Sequence, residues 1–317
     1  MAEFFDISTW QELDFFNTGG TRNKAVFENP DTGELYYFKT SLKKEGRDYK
    51  HEFWSEILAS EIGRELGFNT LRYDIAYHKD VQGKEEIGCL SKSMIDTSRY
   101  KLSEGVNYLL AYNPNYNPKD EKNLYTFNFI ENALGKSLLK DKMHYVVKTI
   151  IFDSLIGNGD RHQENWGFIV PSFQHENKDV KIFIESLMSI FTPIYDSGSS
   201  LGRELTDERV DMLLRDSKML EAYINRSDCK IRWEDKKISH FDLLKRIKEN
   251  VIYKEIIETE IKRIEKAFNR NSVENVVDSI DKKLPSNLKQ HKLPENRKRL
   301  IKFFVSLRYE RLVKVLT

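Results

Sequence analysis

The stretch that decides the fold is Gly157–Phe168, GNGDRHQENWGF. It gathers Asn158, Asp160, Arg161, His162, Glu164 and Asn165 directly after the largely apolar run Val146–Ile156. One reading is a loop that ends a helix, with Asp160 and Asn165 capping backbone groups. The other is chemical. Asp160 and Asn165 are five residues apart, a spacing at which a carboxylate can position a hydroxyl and accept its proton while an amide oxygen ligates a divalent cation. From these two residues alone the readings stand level.

Working outward, other residues complete a set. Downstream, PIYDSGSSL ends an apolar segment in Asp196 with Ser197-Gly198 behind it, an Asp-x-Gly arrangement suited to a second metal contact. Upstream, Lys39 lies in YYFKT, where strand alternation sets Tyr37 and Lys39 on one face and Tyr36 and Phe38 on the other. Such a lysine either snorkels to solvent or meets an anion. Before it, Gly19-Gly20-Thr21 sits where a hairpin could close over phosphates. On the following helix Glu52, Glu56, Ala59 and Gly63 share a face, and Lys39 is the natural partner for Glu56. Each part has a bland counterpart, whether an ordinary turn or a solvated helix face. The joint order of glycine turn, strand lysine, helix glutamate, Asp-x4-Asn loop and Asp-x-Gly is far more specific than any part. Asp160 and Asn165 also match the spacing of the protein-kinase catalytic loop H-R-D-L-x-x-x-N, although here the basic pair Arg161-His162 follows the Asp.

The texture of the chain divides near Met94–Ser98. The first third reads as strands over Lys24–Glu28 and Glu34–Thr40 joined by the turn Pro30–Gly33, then a helix within YKHEFWSEILASEIGRELGF ended by Gly67. Two further strands lie in LRYDIAYHK and EIGCLSKSMI. The remainder is mainly helical, around Leu124–Leu139, Lys142–Leu155 and from Asp207 onward, with NWGFIV, VKIFIE and FTPIYD read as short strand-like exceptions. The expected fold class is therefore α+β, with a small N-terminal β-sheet lobe carrying one main helix (1–96) and a larger, mostly helical lobe (97–317).

Composition bounds the partners. The 51 Lys plus Arg against 50 Asp plus Glu give a net charge of +1, so no global attraction to nucleic acid or membrane follows. Ser286–Thr317 is locally basic, with nine Lys or Arg against two Glu; it reads first as a packed terminal helix with a solvated basic face, and second as a dock for an acidic partner or nucleic acid. Cys89 and Cys229 match neither a metal spacing nor a disulfide framework, which points to a reducing compartment. Met1–Phe16 lacks a basic region followed by an apolar stretch, and no run of eighteen apolar residues occurs, so no membrane span and a cytoplasmic location are expected, with secretion as an effector the alternative.

With these residues in place, the chain resembles the HipA-like Ser/Thr protein kinases, most closely their compact CtkA-type bacterial branch. The resemblance rests on TGGTRNKAVFENPDTGELYYFKT, SEILASEIGRELGF, LIGNGDRHQENWGFIV and TPIYDSGSSLG, in family order. It implies a bilobal protein-kinase-like fold, ATP with Mg²⁺, and transfer of the γ-phosphate to a protein serine or threonine. Asp160 would be the catalytic base, and Asn165 and Asp196 the metal ligands. Lys39 would contact the α/β-phosphates with Glu56 as its ion-pair partner. Gly19, Gly20 and Thr21 would cover the phosphates, and the backbone at Lys92, Ser93 and Met94 would meet adenine. Asn158 and His162 would hold the loop. Autophosphorylation is implied, with Thr18, Thr21, Ser197, Ser199 and Ser200 as available hydroxyls. By comparison with the blocks of long HipA toxins, no additional N-terminal subdomain is expected, so an antitoxin-like partner carries over only as an open expectation. GDRHQEN also resembles the catalytic loop of phosphoinositide kinases, which keeps a lipid or small-molecule kinase as the alternative. A catalytically silent nucleotide-binding scaffold is the reading from outside enzymology.

Overall fold

The computed structural model describes residues 1–13, 24–44, 47–173, 176–226 and 228–317. In chain order the elements begin with β1 (Phe4–Asp6), β2 (Gln11–Glu12), β3 (Lys24–Glu28), β4 (Leu35–Thr40), the ribbon β5 (Lys43–Lys44) and β6 (Arg47–Asp48), α1 (Glu52–Glu65), β7 (Asp74–Lys79) and β8 (Glu85–Lys92). Next come β9 (Tyr100–Glu104), α2 (Gly105–Tyr112), α3 (Phe127–Lys136), α4 (Met143–Ile156), β10 (Gly167–Pro171), α5 (Lys178–Met188) and β11 (Ile190–Phe191). The rest is helical: α6 (Asp207–Arg215), α7 (Ser217–Asn225), α8 (His240–Lys248), α9 (Val251–Ala267), α10 (Arg270–Ser279) and α11 (Glu295–Val313). The α+β class, with an N-terminal sheet and a larger helical part, is as the sequence implied.

The chain forms two compact units, one of residues 1–93, 196–221 and 267–306, the other of residues 94–195, 222–266 and 307–317. The first break falls between residues 93 and 94. The segments 196–221 and 267–306, however, group with the N-terminal sheet, because the turn after Asp196 and the acidic start of α6 bond to groups there.

In the first unit a six-stranded sheet has the order β1-β7-β8-β4-β3-β2, antiparallel except for the parallel pair β1 and β7. The β3–β4 turn closes through Gly33, whose φ of +68° favours glycine. Ile7, Phe27, Phe38, Ala76 and Leu90 form the core on one face of the sheet. The α1 helix is buried on nearly every side, including Trp54, Ile57, Leu58 and Ile62. It ends at Gly67 (φ +74°), where Phe68 N–H reaches back to the Gly63 carbonyl at 2.8 Å and Gly67 N–H to Arg64 at 3.0 Å. This paired closure satisfies carbonyls that a helix end leaves open.

In the second unit β9, β10 and β11 make an antiparallel three-stranded sheet with β10 in the middle. The α4 helix buries Ile150, Ile151, Phe152, Leu155 and Ile156, and packs on α8. It stops at Gly157, whose φ is +66°. Two strand expectations are corrected. VKIFIE lies within α5, where Val180, Phe183 and Leu187 recur at helical spacing and the Asn177 side chain caps the first turn by accepting from Asp179 and Val180 N–H. Of FTPIYD only Phe191 lies within a strand, β11, because the chain then turns away from the sheet.

Candidate active site

In the first unit, pleating sends Phe38 into the sheet core and Lys39 to the opposite face, toward α1. Lys39 is only 7% exposed, and its Nζ donates to Glu56 Oε2 at 2.9 Å and to the Asp196 carboxylate. Glu56, itself buried, accepts from Ser197 N–H at 2.6 Å and Gly198 N–H at 2.9 Å. One carboxylate therefore anchors both the strand lysine and the turn behind Asp196. Asp196 adopts φ +53°, a conformation that Asp tolerates better than most residues. Its N–H donates to the Tyr73 hydroxyl at 3.3 Å; burial, reinforced by Glu56 and Asp196, pushes that phenol well above its usual range. Glu52, one turn earlier on α1, is also buried; it accepts from Leu42 N–H at 2.9 Å and pairs with Arg203, which stacks over Tyr49.

In the second unit, the loop after α4 is held by groups other than its candidate reactive residues. Arg161 is fully buried and grips Asp153 through Nε (2.9 Å) and Nη2 (2.8 Å), while Nη1 donates to the Asn165 carbonyl at 3.0 Å and to the Tyr195 carbonyl. Burial pushes the Asp153 carboxyl up, and the Arg161 guanidinium and the Asn158 amide (3.1 Å) pull it back. Asn158 Oδ1 accepts from Asp160 N–H at 3.2 Å, and the Asn158 carbonyl meets His240 Nε2 at 3.0 Å. Tyr125 ties the Arg161 carbonyl (3.1 Å) to the indole of Trp166 (2.8 Å). On this frame the Asp160 side chain remains 39% exposed and pairs with Lys230 at 3.0 Å. Asn165 Nδ2 donates to the Asp160 carbonyl at 3.1 Å, which orients its amide and leaves Oδ1 as the free acceptor.

The structure thus brings Lys39, Glu56 and Asp196 together in one unit, and Asp160 and Asn165 together in the other. Lys92 ends β8 with an exposed ammonium paired to Glu34, and the Ser93 N–H is occupied by the Leu35 carbonyl at 2.7 Å; Met94 is half-buried. Gly19, Gly20 and Thr21 lie outside the described residues, as does Thr18. Lys230 and Arg203 were not found from the sequence, and no local signal marks them; His240 lies in SHFDLL, a stretch that resembles a family block but whose histidine was given no role. Asp153 had one: it is a lone acid inside the apolar run VVKTIIFDSLI. The solvated basic face expected for the terminal helix is corrected in part. Arg297 bonds Asp207 (2.9 Å), Lys298 bonds Asp281 (3.0 Å), and Arg308 is buried, with Nη1 on the Ile224 carbonyl at 3.2 Å. Arg297 and Lys298 are spent on acidic residues of neighbouring segments and Arg308 on backbone carbonyls, while Arg299 and Lys314 stay exposed. Both cysteines are free and buried, and burial raises both thiols far above the usual range.

A strand lysine paired to a helix glutamate and an Asp-x-Gly turn tied to the same glutamate in one unit, and an Asp-x4-Asn loop in the other, are the kinds of parts protein kinases use. No protein-family model matches the chain. In sequence it is similar to the serine/threonine-protein kinase CtkA of Helicobacter pylori, 26% identical over 242 residues, which cover 71% of this chain and 65% of that protein. The chain therefore spans just under two thirds of the length of the curated relative it matches. In fold it matches the crystal structure of the H. pylori proinflammatory kinase CtkA with a TM-score of 0.77 at 21% identity, covering 99% of this chain and 96% of that one. It also matches HipA in the Shewanella oneidensis complex of HipA, HipB and operator DNA, with a TM-score of 0.52 at 13% identity, covering 94% of this chain and 65% of that one. The chain is similar to CtkA in sequence and fold, and to HipA in fold.

Proposed function

We propose that this protein is an ATP- and Mg²⁺-dependent protein kinase that transfers the γ-phosphate to serine or threonine, its own hydroxyls included. The observation that carries this reading is the buried cluster in which Glu56 holds both Lys39 and the two amides behind Asp196. Similarity to CtkA supports the same assignment.

The donor types suit a divalent cation carried with a nucleotide. Asp196 offers a carboxylate and Asn165 an oriented amide oxygen, both hard ligands of the kind Mg²⁺ takes. Bound there, the ion would offset charge on the phosphate oxygens. Lys39 is assigned the α/β-phosphates, and Glu56 keeps it in place. Asp160, the half-exposed carboxylate of its loop, is assigned the acceptor hydroxyl: it aims that oxygen and takes its proton, with Lys230 restraining the carboxylate. Lys92, Ser93 and Met94 are assigned to adenine through backbone groups other than the Ser93 N–H. Ser197 and Ser200 are buried, so neither is our choice for autophosphorylation. The substrate we favour is a protein; the HipB pairing named for the Shewanella HipA supports only a search for an antitoxin-like partner. Among the described residues no helix is long and apolar enough to cross a membrane. We assign a cytoplasmic location on the two free, buried thiols.

Incubation with labelled ATP and Mg²⁺ tests the reading. Label should enter the protein itself or a generic protein acceptor, and Asp160→Ala and Asp196→Ala should each lower the rate roughly 10²- to 10⁴-fold. Transfer that survives both changes, or selective labelling of lipid vesicles, would overturn it.

A further inference from the structure

The ammonium that meets the Asp160 carboxylate comes from outside the loop. Within GNGDRHQENW the one Lys or Arg is Arg161, which is buried and committed to Asp153 and to the Asn165 and Tyr195 carbonyls. Lys230 lies 70 residues downstream of Asp160, and its Nζ donates to Asp160 Oδ1 at 3.0 Å. The segment that carries it is fastened to the loop without help from that pair. His240 Nε2 meets the Asn158 carbonyl at 3.0 Å, Arg232 N–H donates to the Tyr125 carbonyl at 2.9 Å, and the Tyr125 hydroxyl donates to the Arg161 carbonyl at 3.1 Å. Cys229 N–H closes the segment on itself through the Ile238 carbonyl at 2.9 Å. A Cβ on Gly159 would stand 3.3 Å from the Asp228 carbonyl oxygen, so the two backbones touch just before each charged residue.

Both members of the pair keep unused capacity. A lysine ammonium has three donors, and among the described residues Lys230 Nζ makes no hydrogen bond besides the one to Asp160. Asp160 Oδ2 accepts none among those residues. One carboxylate oxygen thus holds a cation while the other is open to a hydroxyl, and both side chains reach solvent, at 37% and 39% exposure. An acceptor oxygen held there would sit about 3–3.5 Å from the phosphorus it attacks. The arriving phosphoryl group therefore comes within reach of an ammonium that shares the same carboxylate.

We propose that Lys230 is a further catalytic residue, whose ammonium binds an oxygen of the phosphoryl group while that group passes to the hydroxyl oriented by Asp160; the role rests on the kinase reading above. As the acceptor oxygen forms its bond to phosphorus, the bond from phosphorus to the β,γ-bridging oxygen breaks and its electron pair leaves with ADP. The hydroxyl proton goes to Asp160. Lys230 keeps its own protons and offsets charge on the phosphoryl oxygens, where a compact ammonium with rotatable donors can follow the group as it moves.

Two measurements on the full chain test this: steady-state transfer to a protein acceptor, and calorimetric binding of ADP with Mg²⁺ and aluminium fluoride, a mimic of the phosphoryl group in transit. Lys230→Met should lower kcat roughly 10²-fold while the KM for ATP, the affinity for ADP and the thermal midpoint stay near wild type. It should weaken the fluoride complex roughly tenfold or more, and Lys230→Arg should recover part of that affinity. The deciding comparison is made without the carboxylate. Added to Asp160→Asn, Lys230→Met should weaken the fluoride complex by a similar factor, whereas a residue acting only through Asp160 would add nothing there. Unchanged kcat in Lys230→Met, or no added loss in the double variant, would overturn the role and leave the kinase reading standing. A wild type that transfers phosphate to no protein acceptor would overturn that reading and this role with it.

Discussion

The Lys39 cluster and the Asp160 loop solve opposite problems. In the first, the candidate functional groups are themselves the fastening: Lys39 and Glu56 are buried, and each satisfies the other. In the second, Asp160 stands half-exposed on a frame made by Arg161, Asp153, Asn158, Tyr125 and Trp166. Function and stability are fused in one region and separated in the other. A buried charge costs several kcal/mol unless paired, so Lys39 and Glu56 cannot be lost singly without harm to the fold. An exposed carboxylate carries no such penalty.

The sharpest way to break this contrast is Asp160→Ala. Phosphotransfer should fall by roughly 10²- to 10⁴-fold while the thermal midpoint stays nearly constant, because a half-exposed ion pair such as Asp160–Lys230 contributes at most about 1 kcal/mol. A large loss of stability would show that the loop is fused after all. Arg161→Ala should do the reverse: it leaves Asp153 buried and unpaired, and urea unfolding should register a destabilisation of about 3–5 kcal/mol. Glu56→Ala should lower stability by a comparable or smaller amount, about 3 kcal/mol, and abolish nucleotide binding with it. Glu56→Gln should recover part of the stability but not the binding, which equilibrium dialysis with labelled ATP would read.

A smaller effect is expected at Gly88, beside Lys39 in the sheet. A Cβ there would stand 2.3 Å from the Lys39 carbonyl oxygen, so Gly88→Ala should cost about 1–3 kcal/mol by forcing β4 and β8 apart. A pH effect is expected at His51. Its folded pKa of about 4 lies below the ordinary histidine value of 6.5, so the unfolded chain takes up the proton first as pH falls. The stabilising contribution is complete above about 6.5 and is lost progressively toward 4. Thermal midpoints across that window should fall less steeply in His51→Gln than in the wild type.

Much of this was legible in the sequence because local chemistry marks it. Strand alternation put Lys39 opposite the core face, helical spacing put Glu56 on a face with small residues, and Gly67 announced the end of α1. VKIFIE was misread because six apolar-rich residues carry no reliable period; only the Asn177 cap and the neighbouring turns made it a helix. The frame around Asp160 was illegible for another reason. Lys230 and His240 lie far along the chain from the loop they touch, and a charged residue in a polar segment looks the same whether it meets solvent or a partner. The basic terminal helix shows the same failure at Arg297 and Lys298, which acids of other segments satisfy.

By itself, then, the sequence determined the α+β class, the order of the parts and the identity of Lys39, Glu56, Asp160, Asn165 and Asp196 as the residues to watch, since residue type and short-range spacing suffice for each. Only the tertiary structure decided that Glu56 fastens both a lysine and the turn after Asp196, and that Arg161 is buried support. Those outcomes depend on which side chains burial brings together, and burial joins residues that sequence distance keeps apart.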